Sequence, residues 1–166
     1  MTTPESKIMT VEQARAWRDK LAAEGRTVCF TNGCFDILHR GHVTYLNFAR
    51  QQGDALCVGL NSDASVKRNK GENRPINNEE DRAFVMASLG CVDAVVLFDE
   101  NEPRDLIEKI LPGVLIKGKD WAHYVSGRDV VEAHGGKVVL ADMVDGKSTT
   151  GTIERVLQVY GNSESK

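Results

Sequence analysis

Five short stretches of this chain are apolar almost without interruption: Thr27–Thr31, Ala55–Leu60, Ala94–Leu97, Val114–Lys117 and Lys137–Ala141. A strand with one wet face alternates in polarity, whereas a strand covered on both faces does not. Between these runs apolar residues recur at helical spacing. That spacing predicts helices over Gly41–Gln52, Asn77–Leu89, Pro103–Leu111 and Val125–His134, with Val11–Glu24 before the first strand and Ser148–Tyr160 after the last. Strands alternating with helices predict a parallel sheet with helices on both faces, an α/β doubly wound Rossmann-like architecture of five strands. Local signals agree. Thr10 with Gln13 forms a capping box, Asn77 with Glu80 reads the same way, Pro103 suits a first helical turn, and Gly25, Gly53 and Gly135-Gly136 stop helices. Asn61–Gly71 reads as a polar, basic loop. Residues 1–9 and 161–166 read as loose tails around a core at about 27–157, and the 166 residues are expected to form a single domain.

In such a sheet ligands sit beyond the carboxyl ends of the strands. The segments after Thr31, Leu60, Lys117 and Ala141 are therefore expected to border one cleft. Composition narrows what enters it. Lys and Arg number 21 against 24 Asp and Glu, a formal net charge of −3, so a nucleic-acid partner is disfavoured and an anionic small ligand needs a local cationic pocket. No apolar run approaches the ~20 residues of a membrane span, and Met1–Lys7 has no secretory core. Cys29, Cys34, Cys57 and Cys91 include no Cys-x-x-Cys pair, and two lie within strand-like runs. Reduced thiols and a cytoplasmic location are expected.

The first cleft segment reads Thr31-Asn32-Gly33-Cys34-Phe35-Asp36-Ile37-Leu38-His39-Arg40-Gly41-His42. Gly33 permits a tight turn or a close approach to a ligand. A helix starting near Gly41 offers unpaired N–H groups and a positive dipole end to an anion. His39 and His42, three apart, share a face of its first turn, and Gly41 between them removes bulk. One histidine there is ordinarily a cap or a surface residue; the His-x-Gly-His spacing after a glycine turn and a buried strand is far more specific. A zinc site of Cys34, His39 and His42 is a second reading, without a clear fourth ligand.

The second segment carries Lys67, Arg68, Lys70 and Arg74. These are either a solvated basic loop or a flap that closes over a polyphosphate. Asp63 either caps a turn or holds a metal or a hydroxyl. Arg82 either pairs with Glu79, stays exposed, or points at phosphates. After the fourth strand, Lys117-Gly118-Lys119-Asp120-Trp121 lets a flat base lie on the glycine backbone, with Trp121 stacking or merely packing. After the fifth, Ser148-Thr149-Thr150 opens a helix and makes a second phosphate cradle or a plain N-cap.

Taken together, these residues resemble the nucleotidyltransferase superfamily that carries a His-x-Gly-His motif, in its cytidylyltransferase-like branch. Asn61-Ser62-Asp63-Ala64-Ser65, Lys70-Gly71, Asn73-Arg74-Pro75, Lys117-Gly118-x-Asp120 and Asp145-Gly146-x-Ser148-Thr149-Thr150 are most similar to the adenylyltransferases that act on D-glycero-β-D-manno-heptose 1-phosphate. The resemblance implies transfer of AMP from ATP to a sugar 1-phosphate in lipopolysaccharide precursor synthesis. It assigns catalysis to His39, His42 and Lys70. It gives Phe35, Ser148 and Thr149 to the triphosphate besides the histidines, and Asp36 to the acceptor. From their places in the cleft segments, Cys34, Lys117, Gly118, Asp120 and Thr150 are expected to add to nucleotide binding, and Asn61, Asp63, Lys67, Arg74 and Arg82 to substrate binding.

Mg²⁺ is expected to be held mainly by the nucleotide phosphates. A homo-oligomer is expected, and a separate heptose kinase, since 166 residues leave no room for the kinase domain to which such enzymes are often fused. Cytidylyl members often carry Arg-Thr-Glu-Gly where this chain has Met143-Val144-Asp145-Gly146, which favours ATP over CTP. CTP-dependent transfer to glycerol 3-phosphate or a similar phospho-alcohol is the alternative reaction, and a nucleotide-binding regulatory module without turnover is the alternative class.

Overall fold

All five apolar runs are strands of one parallel sheet: β1 (Val28–Gly33), β2 (Ala55–Asn61), β3 (Ala94–Phe98), β4 (Val114–Gly118) and β5 (Lys137–Ala141). The computed structural model describes residues 3–161. The helices are α1 (Val11–Ala23), α2 (Arg40–Arg50), α3 (Asp63–Lys70), α4 (Glu79–Ser88), α5 (Arg104–Ile110), α6 (Arg128–Ala133) and α7 (Thr149–Tyr160), with 3₁₀ turns at Pro4–Lys7 and Lys119–Trp121. Every residue of β2 is buried, as a strand covered on both faces requires.

The strand order is β3-β2-β1-β4-β5. The chain winds outward from β1 to β3, then returns to lay β4 on the other side of β1, so the winding reverses between β1 and β4. Two apolar cores flank the sheet. One packs Phe30 and Leu115 with Leu21 of α1, Ile107 of α5 and Val131 of α6. The other packs Val58 and Ile116 with Leu46 of α2 and Met86 of α4. The β1–β4 ladder pairs Cys29 with Val114 and Phe30 with Leu115 and goes no further. Beyond it Tyr45 of α2 reaches between the strands, its hydroxyl 2.7 Å from Thr31 Oγ1 and donating to the Ile116 carbonyl at 3.2 Å. The crevice at the reversal point is thus held open by a side chain.

Three local expectations are corrected. Part of the segment expected to be a loop is α3: Ser62 caps it by accepting from the Ser65 N–H at 3.1 Å, while only Ser65 and Val66 are buried, too few to leave a helical pattern. Asn78, not Asn77, caps α4, by accepting from the Asp81 N–H. The helix expected from Val125 starts at Arg128, because Gly127 has φ +84° and any side chain there would meet Ile107 Cδ1 at 2.7 Å. Residues 3–9 are not a loose tail either. Ile8 bridges to Val95, the Met9 N–H donates to the Val95 carbonyl, and Lys7 Nζ donates to the carbonyls of Leu89 and Val92. Residues 162–166 of the expected C-terminal tail lie outside the described residues. No helix among the described residues is long and apolar enough to cross a membrane.

Candidate active site

The strand ends border a cavity of about 640 Å³, within the range of ~300–1,000 Å³ usual for ligand pockets. The loops after β1, β2, β4 and β5 reach it as the topology demands, and so does the loop after β3 through Asn101, Glu102 and Pro103. That fifth contribution escaped the sequence reading, although the same carboxyl-end rule applies to β3.

At the floor, β1 runs into Phe35, a non-glycine residue at φ +43°. Gly33 makes room for its ring: a Cβ there would lie 2.9 Å from Phe35 Cε2. The glycine therefore serves packing rather than a turn. The buried Phe35 ring meets His42 edge-on at 5.3 Å between centroids. His39 is the N-cap of α2 and His42 stands in its first turn. Their rings stack at 3.8 Å with planes 20° apart. Gly41 makes that stack possible, since a Cβ there would lie 3.0 Å from His39 Cε1 and Nδ1 and 3.2 Å from Lys147 Cβ.

Burial pushes the His42 imidazole down to about 4, with His39 adding to the effect. Burial and then the Lys147 charge lower His39 as well. Both rings are neutral near pH 7 and each carries one N–H donor. The Nδ1 atoms of both, and Asn32 Oδ1, are buried without a hydrogen-bond partner. Buried polar atoms ordinarily find partners, so three orphans in one cavity point to a polar ligand.

The α7 N-terminus meets the same cavity. Ser148 caps it by accepting from the Gly151 N–H at 3.0 Å, and Thr149 Oγ1 lies 3.5 Å from the Ile37 carbonyl. Ser148, Thr149, Thr150 and Lys147 line the wall beside His39 and Gly41. Two helix N-termini therefore face one space, which concentrates unpaired N–H groups and positive dipole ends. Lys70, in the last turn of α3, borders it. So does Lys117, which burial presses down to about 8 against the pull of Asp120 and Glu102 and which lies 5.8 Å from the Trp121 ring centroid. A Cβ on Gly118 would fall 2.3 Å from Asp120 Oδ1 and 2.9 Å from Met143 Sδ, so these two side-chain ends close over the glycine.

Other expected residues stand elsewhere. Lys67 is exposed and does not border the cavity. No flap of four cations hangs over the site: Arg68 pairs with Asp99, and Arg74 is anchored on Asp36 at 2.6 Å. Asp36 borders the cavity but spends its carboxylate on Arg74 and on the N–H groups of Ile76 and Asn77, and those bonds hold its pKa low against burial. It shapes the site by fixing the segment after α3.

Arg82 neither pairs with Glu79 nor points at the cavity. It is buried and donates to the carbonyls of Asn77, Cys34 and Asn61 and to Asp63 Oδ1, which tethers the ends of β1 and β2. Asp63 is thereby drawn away from the cavity; Asn61 borders it. Cys34 lines the cavity with a pKa raised by burial, and all four cysteines are free thiols. Sequence reasoning missed Asn32, Tyr45 and Glu102. Tyr45 was legible as the residue one turn past His42; the other two depended on which face of the sheet the ligand uses.

The reversal of winding between β1 and β4, with anion-binding groups gathered in its crevice, defines an α/β protein built to hold a phosphorylated ligand. The chain belongs to the cytidylyltransferase-like family, whose model matches residues 30–152. It is 51% identical over 157 residues to the bifunctional protein HldE of Syntrophotalea carbinolica, covering 94% of this chain and 32% of that protein. It is 57% identical over 142 residues to bifunctional protein HldE of Mesorhizobium japonicum, covering 85% and 28%. The chain spans about a third of the length of these curated relatives. The lipopolysaccharide core biosynthesis protein of Thermoplasma volcanium GSS1 matches with a TM-score of 0.60 at 27% identity, over 74% of this chain and 100% of that one. Pantoate-β-alanine ligase of Francisella tularensis, solved with β-γ ATP and β-alanine, reaches 0.59 at 16% identity over 93% and 77%, a likeness of fold alone.

Proposed function

We propose that this chain transfers AMP from ATP to a sugar 1-phosphate, D-glycero-β-D-manno-heptose 1-phosphate, giving ADP-heptose and pyrophosphate for lipopolysaccharide core synthesis in the cytosol. The observation that carries the reading is the stacked, neutral His39–His42 pair with unpartnered ring nitrogens, set in a cavity that the α2 and α7 N-termini and Lys70 all border. The likeness to the Thermoplasma lipopolysaccharide core biosynthesis protein supports the same pathway.

An oxygen of the acceptor phosphate attacks the α-phosphorus in line. A new P–O bond forms as the bond to the bridging oxygen breaks, and pyrophosphate leaves with that electron pair. The nucleophile is already anionic, so no general base is needed; alignment and charge stabilisation do the work. Neutral imidazoles suit this role because they donate N–H groups without having to lose a proton. Met143 stands where cytidylyl members often carry an arginine, which favours ATP over CTP. Mg²⁺ would be held mainly by the nucleotide phosphates, through which it binds readily. When bound it offsets the phosphate charge. The partners are ATP and the sugar phosphate, with the latter supplied by a kinase, and the chain works as a homo-oligomer.

The test is pyrophosphate release with ATP or CTP over a panel of acceptors that includes the heptose 1-phosphate and glycerol 3-phosphate. ATP with the heptose phosphate is expected to be fastest. His42→Ala and Lys70→Ala are expected to lower kcat by roughly 10²–10³ with a smaller change in KM for ATP, the loss typical of one transition-state donor. Near-normal kcat in either variant, or preference for CTP, refutes the assignment.

A further inference from the structure

The alternation of side chains along a strand divides the cavity in two. Thr31 and Ile116 lie on the α2 face, with Tyr45, the imidazoles and the α7 N-terminus. One residue on, Asn32 and Lys117 lie on the opposite face, two positions past Phe30 and Leu115 of the α1–α5–α6 core. Gly59 confirms the side: a Cβ there would meet Phe30 Cζ at 2.8 Å, Leu106 Cδ2 at 3.1 Å and Asn32 Cβ at 3.3 Å. The imidazoles and the α7 N-terminus therefore occupy one half.

The other half is chemically unlike it. Glu102, ahead of α5, has its carboxylate fixed: Oε2 accepts from Tyr124 Oη at 2.8 Å and from Ser126 Oγ at 3.0 Å. Oε1 accepts from no group among the described residues. Asn32 Oδ1 is a buried acceptor without a donor. The rings of Trp121 and Tyr124, each 51% exposed, stand at the mouth. A polyphosphate brings acceptors and negative charge, which a carboxylate and an orphan carbonyl oxygen repel. A polyol brings neutral O–H donors, which the buried Asn32 oxygen lacks and the Glu102 carboxylate readily accepts, and apolar ring faces that aromatic side chains cover. Lys117 sits at the border and supplies a cation for the phosphate that the polyol carries.

We propose that this half is the acceptor subsite, in which Glu102, oriented by Tyr124 and Ser126, together with Asn32, reads the hydroxyl groups of the sugar phosphate and sets acceptor specificity. This rests on the transferase reading above for the identity of the sugar, and names the residues that select it. Glu102 and Asn32 are the specificity-determining groups; Tyr124 and Ser126 are positioning residues.

Calorimetric binding separates the two ideas. The full chain and its Glu102→Gln and Tyr124→Phe variants are titrated with a non-hydrolysable ATP analogue. They are then titrated, in its presence, with D-glycero-β-D-manno-heptose 1-phosphate, mannose 1-phosphate and glycerol 3-phosphate. Glu102→Gln is expected to weaken the two sugar phosphates roughly tenfold to a hundredfold, the range of one hydrogen bond to a charged group. Glycerol 3-phosphate is expected to shift less and the nucleotide by under about twofold. Tyr124→Phe is expected to shift the sugars in the same direction by less. Sugar affinity unchanged in Glu102→Gln, no sugar-phosphate binding to the parent chain, or an equal loss for the nucleotide overturns the subsite. Turnover is scored separately: sugar binding that depends on Glu102 without pyrophosphate release sinks the transferase reading and leaves the subsite standing.

Discussion

Replacing Arg82 with methionine separates a structural role from a ligand-binding one. The residue is 2% exposed, and its guanidinium makes four hydrogen bonds of 2.7 to 3.0 Å. Methionine keeps much of the volume and removes every donor. Asp63, partly exposed, and the Asn77 carbonyl can turn to water. The carbonyls of Cys34 and Asn61 lie deeper, and each loses its donor at ~1–3 kcal/mol. Together the two carbonyls give a loss of ~2–6 kcal/mol, with no buried charge left behind because Asp63 can turn to water. For a chain of this size ~2–4 °C of melting temperature follows each kcal/mol, so the variant is expected to melt roughly 4–24 °C lower. Urea denaturation with an unchanged m-value measures the free energy directly. Arg82→Lys is expected to recover only part of it, because a point charge cannot span both strand ends as the planar fork does. A loss below about 1 kcal/mol together with a large fall in ligand affinity refutes this account and makes Arg82 a substrate-binding residue.

Gly41→Ala is expected to change stability by no more than ~1 kcal/mol, since alanine favours helix, yet to cut kcat at least tenfold by pushing the His39 ring off its partner; unaltered kcat refutes the role given to the stack. Lys117→Met is expected to raise the melting temperature at pH 7 and to weaken sugar-phosphate binding, because the folded chain holds that proton only up to about pH 8 and bears a burial penalty below it; a lower melting temperature with intact binding refutes it. His42 is expected to titrate near 4 in the ligand-free protein by NMR, against an ordinary 6.5. The unfolded chain takes up that proton first, so the stability this group contributes is full above about 6.5 and is lost as pH falls toward 4. His42→Ala should flatten this limb of the stability curve, and a midpoint above 6 refutes the buried, neutral imidazole.

Much of the site was readable because it is local in the chain. His39, Gly41 and His42 fall within four residues, and a helix start after a buried strand places them together whatever else the fold does. The same holds for Ser148–Thr150 at the α7 N-terminus. The roles of charged residues were not readable in this way. Arg82, Asp63, Asp36 and Lys67 looked alike as polar groups near a cleft, yet Arg82 is buried under three carbonyls and Lys67 faces water. A charge carries no local record of its partner, since that partner arrives from 19 to 48 residues away in the case of Arg82 with Asp63 and Cys34.

The layered α/β fold, and the strand ends as the place for a ligand, could be read from the chain alone, because period and apolar continuity are properties of neighbouring residues. Packing settled the rest: that β1 and β4 part beyond Phe30, that Tyr45 reaches between them, and that Asn32 and Glu102 both line the crevice. These depend on the order in which strands pair and on which face each side chain meets. Both are set by packing between segments far apart in the chain.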